Sequence, residues 1–232
     1  MSTFQLYRLY NWCGVAAIAL FALGFLFAHF IPPLSPALTQ DEVVRIYQEH
    51  SVAIRVGMLM TMISGMFMAP FVGLISAQLR RMNGTNPAVV YAQIVAGTTN
   101  TMFFFIPAIL FIVTAYRPER SPELTFMMND LSWIIAVLPW PPAFMQNCII
   151  GMAILNDHGE KPLFPRWLGF FNFWVAIGFL PGGLLPFFHG GPLAWSGVLV
   201  FWLAGSVFIL WFIVMVVMLF KAIRRQELEG AG

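Results

Sequence analysis

Six stretches of this chain are each apolar and long enough to cross a bilayer, and together they leave no room for a soluble domain. They run from about Asn11 to Ile31, Val52 to Ile75, Val89 to Ala115, Leu131 to Leu155, Leu168 to Phe188 and Ala194 to Phe220. A helical crossing needs about 20 predominantly apolar residues. Hydrocarbon offers backbone N–H and C=O groups no partner, so a spanning segment must satisfy them internally as a helix. The expected fold is therefore all-α: a polytopic transmembrane bundle of six spans forming one domain over residues 1–232. Only 9% of residues are charged, where a soluble globular chain carries about 25%. A net charge of +2 gives no basis for a nucleic-acid partner. Cys13 and Cys148 both lie in apolar runs, where a thiol acts as a small hydrophobe, and no disulfide framework is implied.

Arg8 followed by an apolar run looks at first like a secretory signal. Such a signal has an apolar core of about 7 to 15 residues ending at a small-residue cleavage site. This run continues to Ile31 and meets Pro32 and Pro33, so it reads as an uncleaved first span. Lys and Arg set the orientation, because loops on the cytoplasmic side carry the excess. With the N-terminus inside, that side holds eight: Arg8, Arg80, Arg81, Lys161, Arg166, Lys221, Arg224 and Arg225. The outer side holds four: Arg45, Arg55, Arg117 and Arg120. Both termini are expected to be cytoplasmic, in a bacterial inner membrane.

Between the first two spans the pattern changes. Pro32, Pro33 and Pro36 end the first span in an extended linker. Thr39-Gln40-Asp41-Glu42 then reads as a capping box, in which Thr39 accepts from an orphan backbone N–H and Glu42 reaches back. Val43, Val44, Ile46 and Tyr47 give the ensuing short outer-face helix an apolar side, opposite Asp41, Glu42, Arg45 and Glu49. Such a helix is either an elbow at the rim of the bundle or a lid over an outer cavity.

In the second span Gly57, Thr61, Gly65, Ala69 and Gly73 recur every four residues and form a ridge of small side chains, where another helix can approach closely. Through Gly57, Gly65, Ala69 and Gly73 the chain could meet a second copy of itself or a partner membrane subunit. Met58, Met62 and Met66 run alongside and read as adaptable core filler.

Prolines interrupt three other spans: Pro107 in the third, Pro139, Pro141 and Pro142 in the fourth, Pro181 and Pro186 in the fifth. Each interior proline removes a helical hydrogen bond and frees a carbonyl that must face protein or a wet cavity. Broken helices of this kind line binding sites in transporters, or else simply kink against their neighbours. Polar side chains within the spans are few: Thr98 to Thr101 around Asn100, Gln146 and Asn147, and Asn172. Asn147 and Asn172 are spaced to hydrogen-bond across helices. Arg55 and Asp130 begin the second and fourth spans and are candidates for an ion pair at the outer rim. No carboxylate or lysine lies at mid-depth, which argues against an ion-coupled pump. An inverted repeat finds only a faint echo, in Pro70 and Pro181.

His29, His50 and His189 all fall on the outer side, with Glu49 and Asp130 as further oxygen donors, and imidazole with carboxylate suits zinc, iron or copper. Their spacing matches no metal motif, and they are candidates for a metal only on that donor chemistry. No GxSxG, CxxC or glycine-rich phosphate loop occurs, so no catalytic residue is assigned and the reading leans away from an enzyme without settling it.

The chain resembles an uncharacterised family of six-span bacterial integral membrane proteins. The resemblance lies in the Arg80-Arg81 pair, Tyr116-Arg117-Pro118-Glu119-Arg120-Ser121-Pro122-Glu123 and Asn129-Asp130-Leu131-Ser132-Trp133. It continues in Pro139-Trp140-Pro141-Pro142, Gln146-Asn147, Phe164-Pro165-Arg166-Trp167 and Phe171-Asn172. It implies the span count and no activity.

Together these features predict a pocket enclosed by spans three to five, built around Trp133, Trp140 and Trp174, with Asn100, Asn147 and Asn172 as its polar members. The expected function is binding or passage of a small apolar or aromatic molecule, with no cofactor. Two other classes fit: an accessory or structural subunit docking through the second span's ridge, and a membrane oxidoreductase using an outer metal or haem.

Overall fold

The computed structural model describes residues 2–229, and the described residues form helices and connecting turns, with no strand among them. Six segments are long and apolar enough to cross a membrane: Thr3–Phe27, Ser51–Leu79, Pro87–Tyr116, Pro122–Leu155, Arg166–Phe187 and Gly191–Glu229. The protein is thus a multi-pass helical bundle. The two ends of the described residues lie on one face, where the guanidinium of Arg8 donates to Glu227 across 2.5 Å. This is the terminal face, and its opposite the distal face.

Span one is a single helix, α1 (Thr3–Phe27), and a short distal helix, α2 (Gln40–Glu49), follows it. The α2 capping box forms as its residues dictate: Thr39 N–H donates to Glu42 Oε2 at 2.7 Å, and Glu42 N–H returns to Thr39 Oγ1 at 3.4 Å. Val43 and Tyr47 are its buried anchors, and the Tyr47 hydroxyl donates to Asn129 Oδ1 at 3.2 Å. Burial, reinforced by the nearby Asp130, pushes that hydroxyl far above the ordinary tyrosine range. The helix bends at His50 into span two.

Span two is α3 (Ser51–Met66) and α4 (Met68–Leu79), broken at Phe67. The cause is Pro70, which has no N–H for the Met66 carbonyl, and the chain tightens there with Phe67 N–H donating to Ser64 O at 3.2 Å. Span three, α5 (Pro87–Tyr116), stays one helix through Pro107. Span four starts earlier than its hydropathy suggests, at Pro122, and consists of α6 (Pro122–Val137) and α7 (Pro141–Leu155). Span five is α8 (Arg166–Phe179) continued by a 3₁₀ segment, Leu180–Phe187. Span six opens with a π-helical turn, Val198–Trp202, before α9 (Leu203–Glu229).

Close approach is bought with glycine. A Cβ on Gly57 of α3 would lie 2.3 Å from the Gly24 carbonyl of α1, and one on Gly24 would lie 2.5 Å from the Gly57 carbonyl. Gly151 of α7 and Gly169 of α8 meet in the same way, at 2.9 Å and 3.1 Å. Van der Waals fit at such crossings is what holds helices together in lipid. The predicted ridge therefore divides. Gly57 serves α1 and Gly65 serves Phe104 and Phe105 of α5, within the chain, while Ala69 and Gly73 face outward.

Two apolar cores result, one towards each face. The distal core joins α2 to the bundle through Val43 and Tyr47 and centres on Trp133, against Phe30 and Phe111, each with ring centroids 5.1 Å away. Trp195 fastens the start of span six to the linker after span one by donating from Nε1 to Leu34 O at 2.7 Å. On the terminal face the buried Asp157 gathers a loop: Oδ1 accepts from Asn83 and Gly159 N–H, and Oδ2 from Leu163 N–H at 2.8 Å.

Candidate functional site

Three of the backbone irregularities converge on one cavity. In span four Pro139, Pro141 and Pro142 cannot donate, so the helix stops at Val137, turns through Leu138 and Trp140, and restarts at Pro141 with prolines in its first turn. In span five Pro181 and the pair Gly182-Gly183 let a 3₁₀ segment run close beside that break. A Cβ on Gly182 would lie 3.4 Å from Val137 O, and one on Gly183 only 3.0 Å from the Trp140 indole nitrogen. In span six the π-helical turn closes with Leu203 N–H donating to Val198 O. Irregular backbone at membrane depth is tolerated where it is buried in protein or lines a cavity, and π-turns recur at functional sites. Val137, Trp140, Gly182, Val200, Phe201 and Trp202, from all three irregular segments, line the same space.

That cavity has a volume of about 290 Å³, roughly twice the ~150 Å³ of an apolar cavity that holds benzene. Its wall is aromatic, with Phe21 and Phe25 from span one, Phe103 and Phe104 from span three, Trp133 and Trp140 from span four, Phe179 from span five, and Phe201, Trp202 and Phe208 from span six. The Phe103 carbonyl is the one that Pro107 leaves without its helical donor. Asn100 stands midway along α5 with its Nδ2 donating to Gln146 Oε1 at 3.2 Å behind the wall. Among the described residues, the lining carries no ionisable side chain. Trp133 Nε1 and Gln146 Nε2 are buried without a hydrogen-bond partner among the described residues. The cavity reaches the surface where its lining is exposed, at Ile31, Trp202, Ser206 and Ile209, beside the first half of span six.

The structure brings Asn100, Trp133 and Trp140 together in this cavity and leaves the other three predicted members outside it. Trp174 is 71% exposed on the outer surface of α8, because its face of that helix points away from the bundle. Asn172 is glue: its Nδ2 donates to Leu168 O, and its Oδ1 accepts from Trp211 Nε1 of α9 at 3.0 Å. Asn147 turns its Nδ2 back to Ala143 O of its own helix, so it does not pair with Asn172. Spans one and six, which no proline pattern singled out, supply much of the wall. The signal that could have found span six is Ala204-Gly205-Ser206, three small residues in an otherwise bulky run.

Two rim features also differ from the expected arrangement. Arg55 and Asp130 form no ion pair; Arg55 Nε donates to Ser51 O, and Asp130 accepts from Asn129 Nδ2. The physical reason is the early start of α6, which sets Asp130 within the helix and not at its end. His29, in the left-handed region at φ 58°, lies against His50 with ring centroids 4.6 Å apart and the rings tilted by 31°, and His189 is exposed elsewhere on the distal face. No group of three or more His, Cys, Asp or Glu positioned to hold a metal occurs among the described residues. The distal helix α2 contributes nothing to the cavity wall and packs as an elbow. No protein-family model, curated protein or solved structure matches the chain.

Proposed function

We propose that this protein binds, or lets pass, a small apolar or aromatic molecule in the cavity between spans one, three, four, five and six. The observation that carries the reading is the convergence of three irregular helix segments on one aromatic-walled space of about 290 Å³. Regular helices would fill a bilayer at lower energetic cost, and irregular backbone is retained where it shapes a site. The lining offers neither a nucleophile with a base nor a cluster of metal ligands, which favours binding or passage over catalysis. The charge distribution supports both termini being cytoplasmic, and a bacterial inner membrane is the location this reading proposes.

Gly205 provides the test. It lines the cavity, and a Cβ built on it meets nothing within 4 Å, so Gly205→Phe places a ring in the empty space without a backbone clash. The protein in phosphatidylcholine nanodiscs is dialysed to equilibrium against naphthalene, with protein-free discs as the reference. Saturable uptake of about one molecule per chain, lost in Gly205→Phe while thermal stability is kept or raised, is the expected result. Uptake no greater than in empty discs, or unchanged by Gly205→Phe, would refute the reading.

A further inference from the structure

The cavity is apolar but not featureless, and its one mid-depth amide says what kind of molecule fits. Asn100 is 8% exposed, and the residue lines the cavity. Its Nδ2 is committed to Gln146 Oε1 at 3.2 Å, while its Oδ1 accepts no hydrogen bond among the described residues. An amide held in this way on an aromatic wall has a fixed orientation and an unused acceptor. Leaving such an acceptor unpaired in a dry space is costly, and a ligand that carries a donor relieves that cost. The lining's hydroxyl, Ser206, stands at the exposed mouth, and the other polar groups deeper in are indole N–H donors and the Phe103 carbonyl, so the side-chain acceptor deep in the cavity is Asn100 Oδ1. A charged ligand would have to shed its water with no ionisable partner to receive it.

We infer that the natural occupant is a neutral, membrane-partitioning aromatic molecule bearing a single hydroxyl or N–H group, which donates to Asn100 Oδ1 while its ring fills the aromatic chamber. The inference rests on the binding function proposed above. The molecule arrives from the lipid, because the mouth at Trp202, Ser206 and Ile209 lies on the exposed side of the apolar sixth span.

The test uses the protein in nanodiscs and four probes of one shape: naphthalene, 2-methoxynaphthalene, 2-naphthol and 2-naphthoate. The quantity measured is the dissociation constant relative to lipid-dissolved probe. 2-Naphthol is expected to bind about tenfold more tightly than naphthalene and 2-methoxynaphthalene, as one hydrogen bond to a buried acceptor gives. 2-Naphthoate should show no saturable binding. In Asn100→Leu the tenfold preference disappears while naphthalene binding is retained. Because that variant strands Gln146, the double variant Asn100→Leu/Gln146→Leu replaces both partners with apolar groups and should show the same loss with native stability. Equal binding of naphthol, methoxynaphthalene and naphthalene, or a preference that survives both variants, would overturn the inference and leave the cavity function standing. Failure of every probe to bind saturably would remove both.

Discussion

The crossing of α1 and α3 makes a stability prediction whose sign depends on the partner atoms. Gly57→Ala adds a Cβ that would lie 2.3 Å from Gly24 O, 2.7 Å from Ala28 N and 2.9 Å from Ala28 Cβ. Two of these three are backbone atoms, so no rotamer change gives relief. The carbonyl contact alone requires α1 to withdraw by roughly 1 Å to reach ordinary van der Waals separation, and a gap of that size forfeits a quarter to a half of each affected dispersion contact. Overpacking a tight interface costs about 1–3 kcal/mol, and a backbone-on-backbone clash belongs at the upper end. Gly73→Ala is the control, since a Cβ there meets nothing within 4 Å. Both changes gain the same helix propensity, about 1 kcal/mol, so their difference isolates the clash at about 2–3 kcal/mol. Thermal unfolding in detergent, followed by tryptophan fluorescence, should separate the two variants by roughly 4–12 °C, using about 2–4 °C per kcal/mol for chains of this size. Equal shifts in the two variants would show that α1 and α3 do not cross at Gly24 and Gly57.

Asn172→Leu removes the acceptor of Trp211 Nε1 and should destabilise the bundle by about 1–3 kcal/mol, read in the same unfolding assay; an unchanged midpoint would show that α8 and α9 are not tied there. The Thr39 backbone N–H, followed by the Thr39 hydroxyl, holds the Glu42 carboxyl below its usual range. A depressed carboxylate stabilises the fold above its unfolded pKa and loses that contribution as pH falls through the folded value. Hydrogen exchange in the first turn of α2 should therefore quicken on acidification below the ordinary glutamate range, after correction for intrinsic exchange, and Glu42→Gln should abolish that dependence.

Much of this arrangement could be read from the residues, and what could not shares one physical cause. Span positions follow from apolar length, the α2 cap from Thr39 and Glu42, and the break in span four from Pro139, Pro141 and Pro142, all of them local signals. That Asn100, Trp133 and Trp140 share one cavity is legible because they combine an unusual side chain with a mid-span position or with the break itself. The facing wall was not legible. Phe21 meets Phe208 from the far end of the chain, with ring centroids 5.5 Å apart, and no periodicity within either span encodes that pairing. Trp174 misled because tryptophan suits a lipid-facing surface as well as a pocket, and only packing of α8 decides which. Hydropathy alone sets the start of α6 too late, because Glu123, Asn129 and Asp130 depress it without stopping a helix that Pro122 begins.

Direct visualisation in a nanodisc tests the central claim most sharply. A single-particle density map of the full chain should show span four interrupted at Leu138–Trp140, a widened first turn in span six, and between them a chamber holding density for a compact small molecule. A straight, uninterrupted fourth span facing lipid, or side chains collapsed into the chamber so that no space remains, would contradict the account.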